Sequence, residues 1–387
     1  MFRRRLIAPG PVEISPAVQL ALAQAQLHHR SPEAKTVVKR ARELLRVVAG
    51  VSEAVEPLIL TASGTGAFEA VLGSLVARGE KVISISAGKF GERWAAMARA
   101  LGYSVAEKRL EWGRAIAQAD LLELLQQNPD AKALVITHSE TSTGVLHDLE
   151  QLAKVAREQN PELFILVDAI TSLGVAELRL ENWGLDAVIS GSQKATGAPP
   201  GLGFVFLSPR ALRQLEASAT SGYYFDLRRE LKVQKSGETA FTPAINLIVG
   251  LNAALEPIAE EISVQGLEAW WANKKALNNA LLACAKALGC SSYADVPSPA
   301  CVTLVPPAPI SGRELWQALL KRGARAQTGQ DAIKDKICRI SFMGHFDRYD
   351  ALSFAGLLEE ALQDCGLELT RGAGVAALWA ALESRVM

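Results

Sequence analysis

The chain has 387 residues, 49% of them apolar and 21% charged, which is globular composition with material for one large domain or two. Lys+Arg and Asp+Glu balance at 41 each, and a formal charge of zero argues against a nucleic-acid binder, which needs a basic excess. No apolar run approaches the roughly 18 residues of a membrane span, and "MFRRRLIAPGP" has too short an apolar stretch for a secretion or transit signal.

In chain order, short apolar runs alternate with helical periodicity. Strands are expected at 56–62, 81–87, 104–110, 133–139, 163–169, 186–192 and 203–209. Between them "GAFEAVLGSLV", "GERWAAMARAL", "DLLELLQQN" and "DLEQLAKVAREQ" place apolar residues at i, i+3, i+4. This is the pattern of an α/β fold built on a seven-stranded, mainly parallel sheet. From Pro243 the texture changes to two long helices, "PAINLIVGLNAALEPIAEE" and "LEAWWANKKALNNALLACAKALG", then short strands at 300–306 and 337–344 between further helices. The expected division is an N-terminal segment (1–20) near the active site and the small domain, a large domain (21–250), a smaller α+β domain with its linking helix (251–370) and a tail helix (371–387). Five cysteines (Cys284, Cys290, Cys301, Cys338, Cys365) lack CxxC spacing and the five histidines form no metal pattern. Reduced thiols, a cytoplasmic location and no metal site are expected.

Ligands of open α/β sheets bind beyond the carboxyl ends of the strands, so the residues just past each strand matter most. After the first strand, "SGTG" (Ser63–Gly66) opens a helix, either as a plain N-cap or as a cup of backbone N–H groups for a phosphate. After the second, "GKFGERW" sets Phe90 over the strand ends, as a core aromatic or as a stacking face. "ETSTG" (140–144) clusters hydroxyls after the fourth strand. Asp168 ends the apolar run "LFILV", and a carboxylate stripped of water there needs a helix to cap or a cation to face. "SGSQKATGAPPGLGF" then holds Lys194 between small residues and a Gly/Pro loop. A surface lysine would snorkel, whereas one at a crevice would have a lowered pKa and act as a nucleophile.

Together these offer an anion cup, a ring face, a carboxylate and an amine. Pyridoxal 5'-phosphate needs that set: a phosphate site, a surface for its ring, a carboxylate to keep its pyridine nitrogen protonated, and a lysine for its aldehyde.

"PGP" (9–11), "SGTGAFEA" (63–70), "HSETSTG" (138–144), "VDAITSLG" (167–174), "SGSQKATGAPPGLGF" (190–204) and "CRISFMG" (338–344) together resemble the class V aminotransferases. The resemblance is strongest to the branch of alanine–glyoxylate and serine–glyoxylate (serine–pyruvate) enzymes and covers roughly residues 5 to 365. It implies fold type I of the pyridoxal-phosphate transferases and a homodimer with active sites at the subunit interface. It makes Lys194 the Schiff-base lysine, Asp168 the partner of the ring nitrogen, and Ser63, Gly64 and Thr65 the phosphate cup. It gives Gln193 a phosphate or ring contact, Phe90 one ring face and Ile170 the other, and Thr141 the ring hydroxyl. Thr242 would reach the phosphate of the other subunit, Arg339 would clamp the substrate α-carboxylate, and Pro9 and Gly10 would line the substrate side.

The function this implies is transfer of an amino group from a small L-amino acid to a 2-oxo acid such as glyoxylate or pyruvate, by a ping-pong route. An aspartate-type donor, or a lyase on the same fold, is the alternative; Arg30 and Arg228 are the candidate arginines for a second carboxylate, or else surface ion-pair partners, and His28 and His29 are candidates for the lining of the partner's site, or else helix-end packing residues. A cysteine desulfurase of this fold would carry histidines where this chain has Phe90 and Gln193, and a non-catalytic subunit would have lost Lys194 or Asp168; neither pattern is present.

Overall fold

The computed structural model describes residues 4–217 and 222–383, which include every candidate site residue; the first three residues and the last four of the expected tail helix lie outside them. The seven strands of the main sheet are β1 (Glu56–Thr61), β2 (Lys81–Ser86), β3 (Ser104–Arg109), β4 (Ala133–Thr137), β7 (Phe164–Asp168), β8 (Ala187–Gly191) and β9 (Leu202–Leu207). The missing numbers belong to a small hairpin, β5 (Ser139–Glu140) and β6 (Val145–Leu146). The sheet runs β1-β9-β8-β7-β4-β2-β3, parallel except that β9 lies antiparallel between β1 and β8.

The central strands are buried on both faces and read as unbroken apolar runs. Alternate residues feed two cores: Ile83, Leu134, Ile165 and Val188 face one layer of helices, while Val82, Val135, Leu166 and Ile189 face the other. Edge strand β3 ends in Glu107, Lys108 and Arg109 and is only half-buried, charges that suit a sheet edge open to water.

The sequence reading contains no counterpart to helix Pro32–Ala49. Ser31 accepts from the Ala34 N–H, Pro32 occupies the first turn, and Gly50 closes the helix with φ +63°. Its buried stripe of Ala34, Val38, Ala41, Leu44, Leu45 and Val48 packs into the first core.

The second sheet is antiparallel, β10 (Ser291–Ser292), β11 (Val302–Val305), β13 (Cys338–Ile340) and β12 (Gln327–Thr328), in the order β10-β11-β13-β12. It carries its own core, which also takes in Ile7 from the N-terminal segment. Helices Ile245–Gln265 and Leu267–Ala287 meet at Gly266. The first packs into the main core together with Trp270 and Trp271, whereas from Ala280 onward the second belongs to the small core, so one rigid helix spans both.

A strap over residues 5–12 ties the sheets together. Arg5 exchanges backbone hydrogen bonds with Gly323 and Arg325, the Ser341 N–H donates to the Ile7 carbonyl, and the Val12 N–H donates to the Gln193 carbonyl. All five cysteines are unpaired. Among the described residues no helix is long and apolar enough to cross a membrane.

Candidate active site

A chamber of about 340 Å³ opens at the carboxyl ends of the parallel strands, a volume ordinary for a small-ligand site. Its walls include Gly10, Ser63, Gly64, Thr65, Phe90, Thr141, Asp168, Ile170, Gln193 and Lys194. A larger depression of about 470 Å³ near Glu80, Lys132 and Glu162 lies at the opposite end of the strands, where an α/β sheet does not present its catalytic loops.

Lys194 follows β8 and is buried. Its Nζ donates to the carbonyl of Pro9, on the strap. Burial pushes the amine down to about 8, with Arg339 adding to the fall and Cys301, Asp168 and Glu140 opposing it. An amine at that value is largely neutral at mildly alkaline pH, as a nucleophile must be. Gly10 makes room: a Cβ there would sit 2.5 Å from Nζ, and its φ of +112° is one that L side chains rarely adopt.

Asp168 ends β7, next to Thr137 of β4 and Ile189 of β8. Its Oδ1 accepts from the Ile170 N–H and its Oδ2 from the Trp94 indole N–H, both at 2.8 Å. Burial outweighs these bonds and raises the carboxyl to about 7. No cation of the chain pairs with it among the described residues, so a protonated ring nitrogen would fill that role.

Ser63 is the N-cap of helix Gly64–Leu75, yet its side chain makes no capping bond and the first turn holds no acid. The hydroxyl and the opening amides are therefore left for an anion. A Cβ on Gly64 would strike the Ile170 side chain, so the glycine lets this isoleucine approach the helix start. Gln193 Oε1 is buried with no partner, an orphan that points to a missing ligand. Thr141 Oγ1 lies 2.5 Å from Thr171 Oγ1. These features fit pyridoxal phosphate: a cup for its phosphate, flanking side chains for its ring, a buried carboxylate and a buried amine.

Arg339, on β13 of the small sheet, is buried behind the chamber wall rather than lining it, with Nε donating to the Thr328 carbonyl and Nη1 to the carbonyl of the lining residue Thr141; Pro9 likewise does not line the chamber but accepts from Lys194 Nζ. Thr242 lies elsewhere, beside Thr61, Tyr224, Phe225 and Phe241, and does not line the chamber of its own chain. Arg30 and Arg228 do not line it either.

Sequence reasoning missed Trp94, Thr171 and Arg93, which also border this space or its carboxylate. The Arg93 guanidinium sits 4.8 Å from the centre of the Phe90 ring. Arg93 and Trp94 lie within four residues of Phe90 on one helix, a proximity legible in "FGERW".

The family model for "Aminotransferase class-V" matches residues 18–352. A protein of Anabaena cylindrica named "Soluble hydrogenase 42 kDa subunit" is 36% identical across 96% of this chain and 97% of its own. The serine–glyoxylate aminotransferase of Arabidopsis thaliana is 30% identical across 97% of this chain and 94% of its own. Among solved structures, a subgroup IV aspartate aminotransferase from Thermus thermophilus superposes with a TM-score of 0.86 at 42% identity, covering 93% of this chain and 99% of that one. The amine and the carboxylate, whose loss would mark a subunit that had abandoned catalysis, are both retained here.

Proposed function

The chain belongs to the class V aminotransferases, pyridoxal-phosphate enzymes of fold type I that pass an amino group to a 2-oxo acid, and on that premise we propose how its residues divide the work. The cofactor, when bound, supplies an aldehyde that condenses with amines and a ring that accepts the electron pair left when Cα loses its proton. Lys194 would hold the cofactor, and its free amine would carry the proton away from the substrate Cα. Asp168 keeps the ring nitrogen charged. Ser63, Gly64 and Thr65 bind the phosphate with Gln193 beside them, Phe90 and Ile170 cover the ring, and Thr141 bonds its hydroxyl. Arg339 binds the substrate α-carboxylate with its planar fork, and Pro9 and Gly10 line the substrate side. The observation that carries this reading is the burial of Lys194 and Asp168 in one chamber.

For the donor we propose a small L-amino acid such as alanine or serine, with glyoxylate or pyruvate as acceptor, supported by the serine–glyoxylate relative. A second reading, a dicarboxylic donor, draws on Arg93 at the chamber wall and on the aspartate aminotransferase at 42% identity. A half-reaction screen separates them: the loaded protein is mixed with alanine, serine or aspartate, and bleaching of its visible band is followed. Arg93→Gln should raise the aspartate requirement selectively under the second reading and leave all donors alike under the first. Lys194→Ala should take up no borohydride-fixable cofactor; a variant that reacts with amino acids at the wild-type rate overturns the assignment.

We place the working unit as a homodimer. Tyr223 and Tyr224 are exposed beside Phe241 and Thr242, an aromatic patch suited to burial against a second copy. Thr242 then serves the partner's phosphate. The unpaired cysteines suit a reducing compartment such as the cytoplasm. The proposed division is an N-terminal segment (1–20) that carries the strap, a large domain (21–250), a small α+β domain with its linking helix (251–370), and a tail helix (371–387).

A further inference from the structure

Glu140 is fully buried, and the groups that act on its carboxyl are the Ser142 hydroxyl and three backbone amides, with no cation among them. A bare carboxylate in such a place is costly unless hydrogen bonds offset the lost water. Here they do. Oε2 accepts the N–H groups of Phe90 and Gly91, each at 3.0 Å. Oε1 accepts the Ser142 N–H at 3.1 Å and the Ser142 hydroxyl at 2.5 Å. The Ser142 oxygen in turn accepts the Lys89 N–H at 3.0 Å.

Three successive amides at the start of helix Lys89–Ala100 are thus received by a turn fifty positions away, because the helix has Gly88 as its N-cap and no side chain of its own to use. Gly88 is required by the same arrangement: a Cβ there would meet the Ser142 hydroxyl and lie 2.7 Å from Glu140 Cγ. The helix's positive end also favours the anion.

The two residues flanked by these contacts are chamber residues. Phe90 is an amide partner of the carboxylate, and Thr141 lies between Glu140 and Ser142, with its carbonyl receiving Arg339 Nη1 at 2.9 Å. We propose that Glu140 is the positioning residue of this site, locking the ring-covering Phe90 to the turn that aligns Arg339, so that the cofactor face and the carboxylate clamp are held as one unit across the two sheets. The inference rests on the aminotransferase reading.

A mere helix cap would affect the melting temperature and nothing else. Glu140→Gln keeps the shape but has a single acceptor oxygen, so its NH₂ must face either the Phe90 and Gly91 amides or the Ser142 amide, donor against donor. In the pyridoxal-phosphate-loaded protein, this variant should release cofactor about tenfold faster. Glu140, like Cys301 and Asp168 and against Arg339, raises the pKa of the amine, so the pH at which the Lys194-bound chromophore titrates should fall in this variant. Glu140→Asp keeps the charge and loses reach, so it should restore the titration but not the retention. Ser142→Ala, a milder cut of the same link, should speed release by a smaller factor and serves if Glu140→Gln does not fold. A Glu140→Gln protein that keeps its cofactor and titrates as the wild type does, with only a lower Tm, would reduce Glu140 to a cap and overturn the proposal. Failure of the wild type itself to take up pyridoxal phosphate would instead overturn the aminotransferase reading.

Discussion

Trp94 donates its indole N–H to Asp168 Oδ2 at 2.8 Å, reaching from inside helix Lys89–Ala100 to the end of β7. The ring also stacks on Phe68 with centroids 4.4 Å apart, so the donor is fixed by packing before any ligand arrives. A hydrogen bond to a charged group contributes about 1.5–3 kcal/mol. Trp94→Phe should keep the stack, lose the donor and weaken pyridoxal phosphate binding roughly tenfold or more, read by equilibrium dialysis. An unchanged Kd would remove Trp94 from the site.

Asp168 makes cofactor-free stability depend on pH in a direction unusual for a carboxylate. Burial first raises its folded pKa to about 7 from 3.8, so above pH 4 the folded state retains a proton that the unfolded state has released. Its contribution is therefore lost as pH rises from about 4 to 7. Measured against Asp168→Asn, which does not titrate, the apoprotein should lose up to about 1.4 kcal/mol per pH unit across that window and nothing outside it. Denaturant melts from pH 4 to 8 give the difference; a flat difference means the carboxylate is ionised in the fold.

Gly10→Ala should abolish capture of the aldehyde while leaving a folded protein. The new methyl competes with Lys194 Nζ for one space, and the φ of +112° adds backbone strain. Reduction with borohydride followed by mass spectrometry should find no cofactor on Lys194, and circular dichroism should match the wild type. Normal labelling would show that the strap yields.

His138 and His147 lie buried behind the β5–β6 hairpin. Burial lowers His138 to about 3 and His147 to about 4, and His138 Nδ1 has no partner. A base whose folded pKa is depressed costs stability as pH falls below its unfolded value near 6.5. His138→Phe should flatten the acid side of the stability curve between about 6.5 and 3, seen in melts over that range. An equally steep acid limb would place the proton elsewhere.

The main sheet was legible because its strands are doubly buried and read as unbroken apolar runs bounded by turn residues. Asp168 and Lys194 stood out as polar residues at the ends of such runs. Helix Pro32–Ala49 carries equally good marks, Ser31-Pro32-Glu33 at its start and Gly50 at its end, but it precedes the first strand and so falls outside the strand–helix alternation. Strands β10 and β12 have two residues each, too short to carry a period, and exist only because β11 and β13 give them partners. Glu140 and Trp94 are different in kind. Each looks ordinary in its own segment, a polar loop residue and a core aromatic, and acquires its role from a group far away in the chain. Burial of one polar atom demands another, yet nothing in the sequence says which.

The strap has a consequence for how the enzyme comes into being. Lys194 is steadied by Pro9, whose neighbours Arg5 and Ile7 are anchored to Gly323, Arg325 and Ser341. The nucleophile is therefore set only after distant stretches of polypeptide have met, a late event in a topology rich in remote pairings. Uptake of the aldehyde during renaturation should lag behind recovery of helical signal, making the colour of the protein a clock for the closing of its two halves.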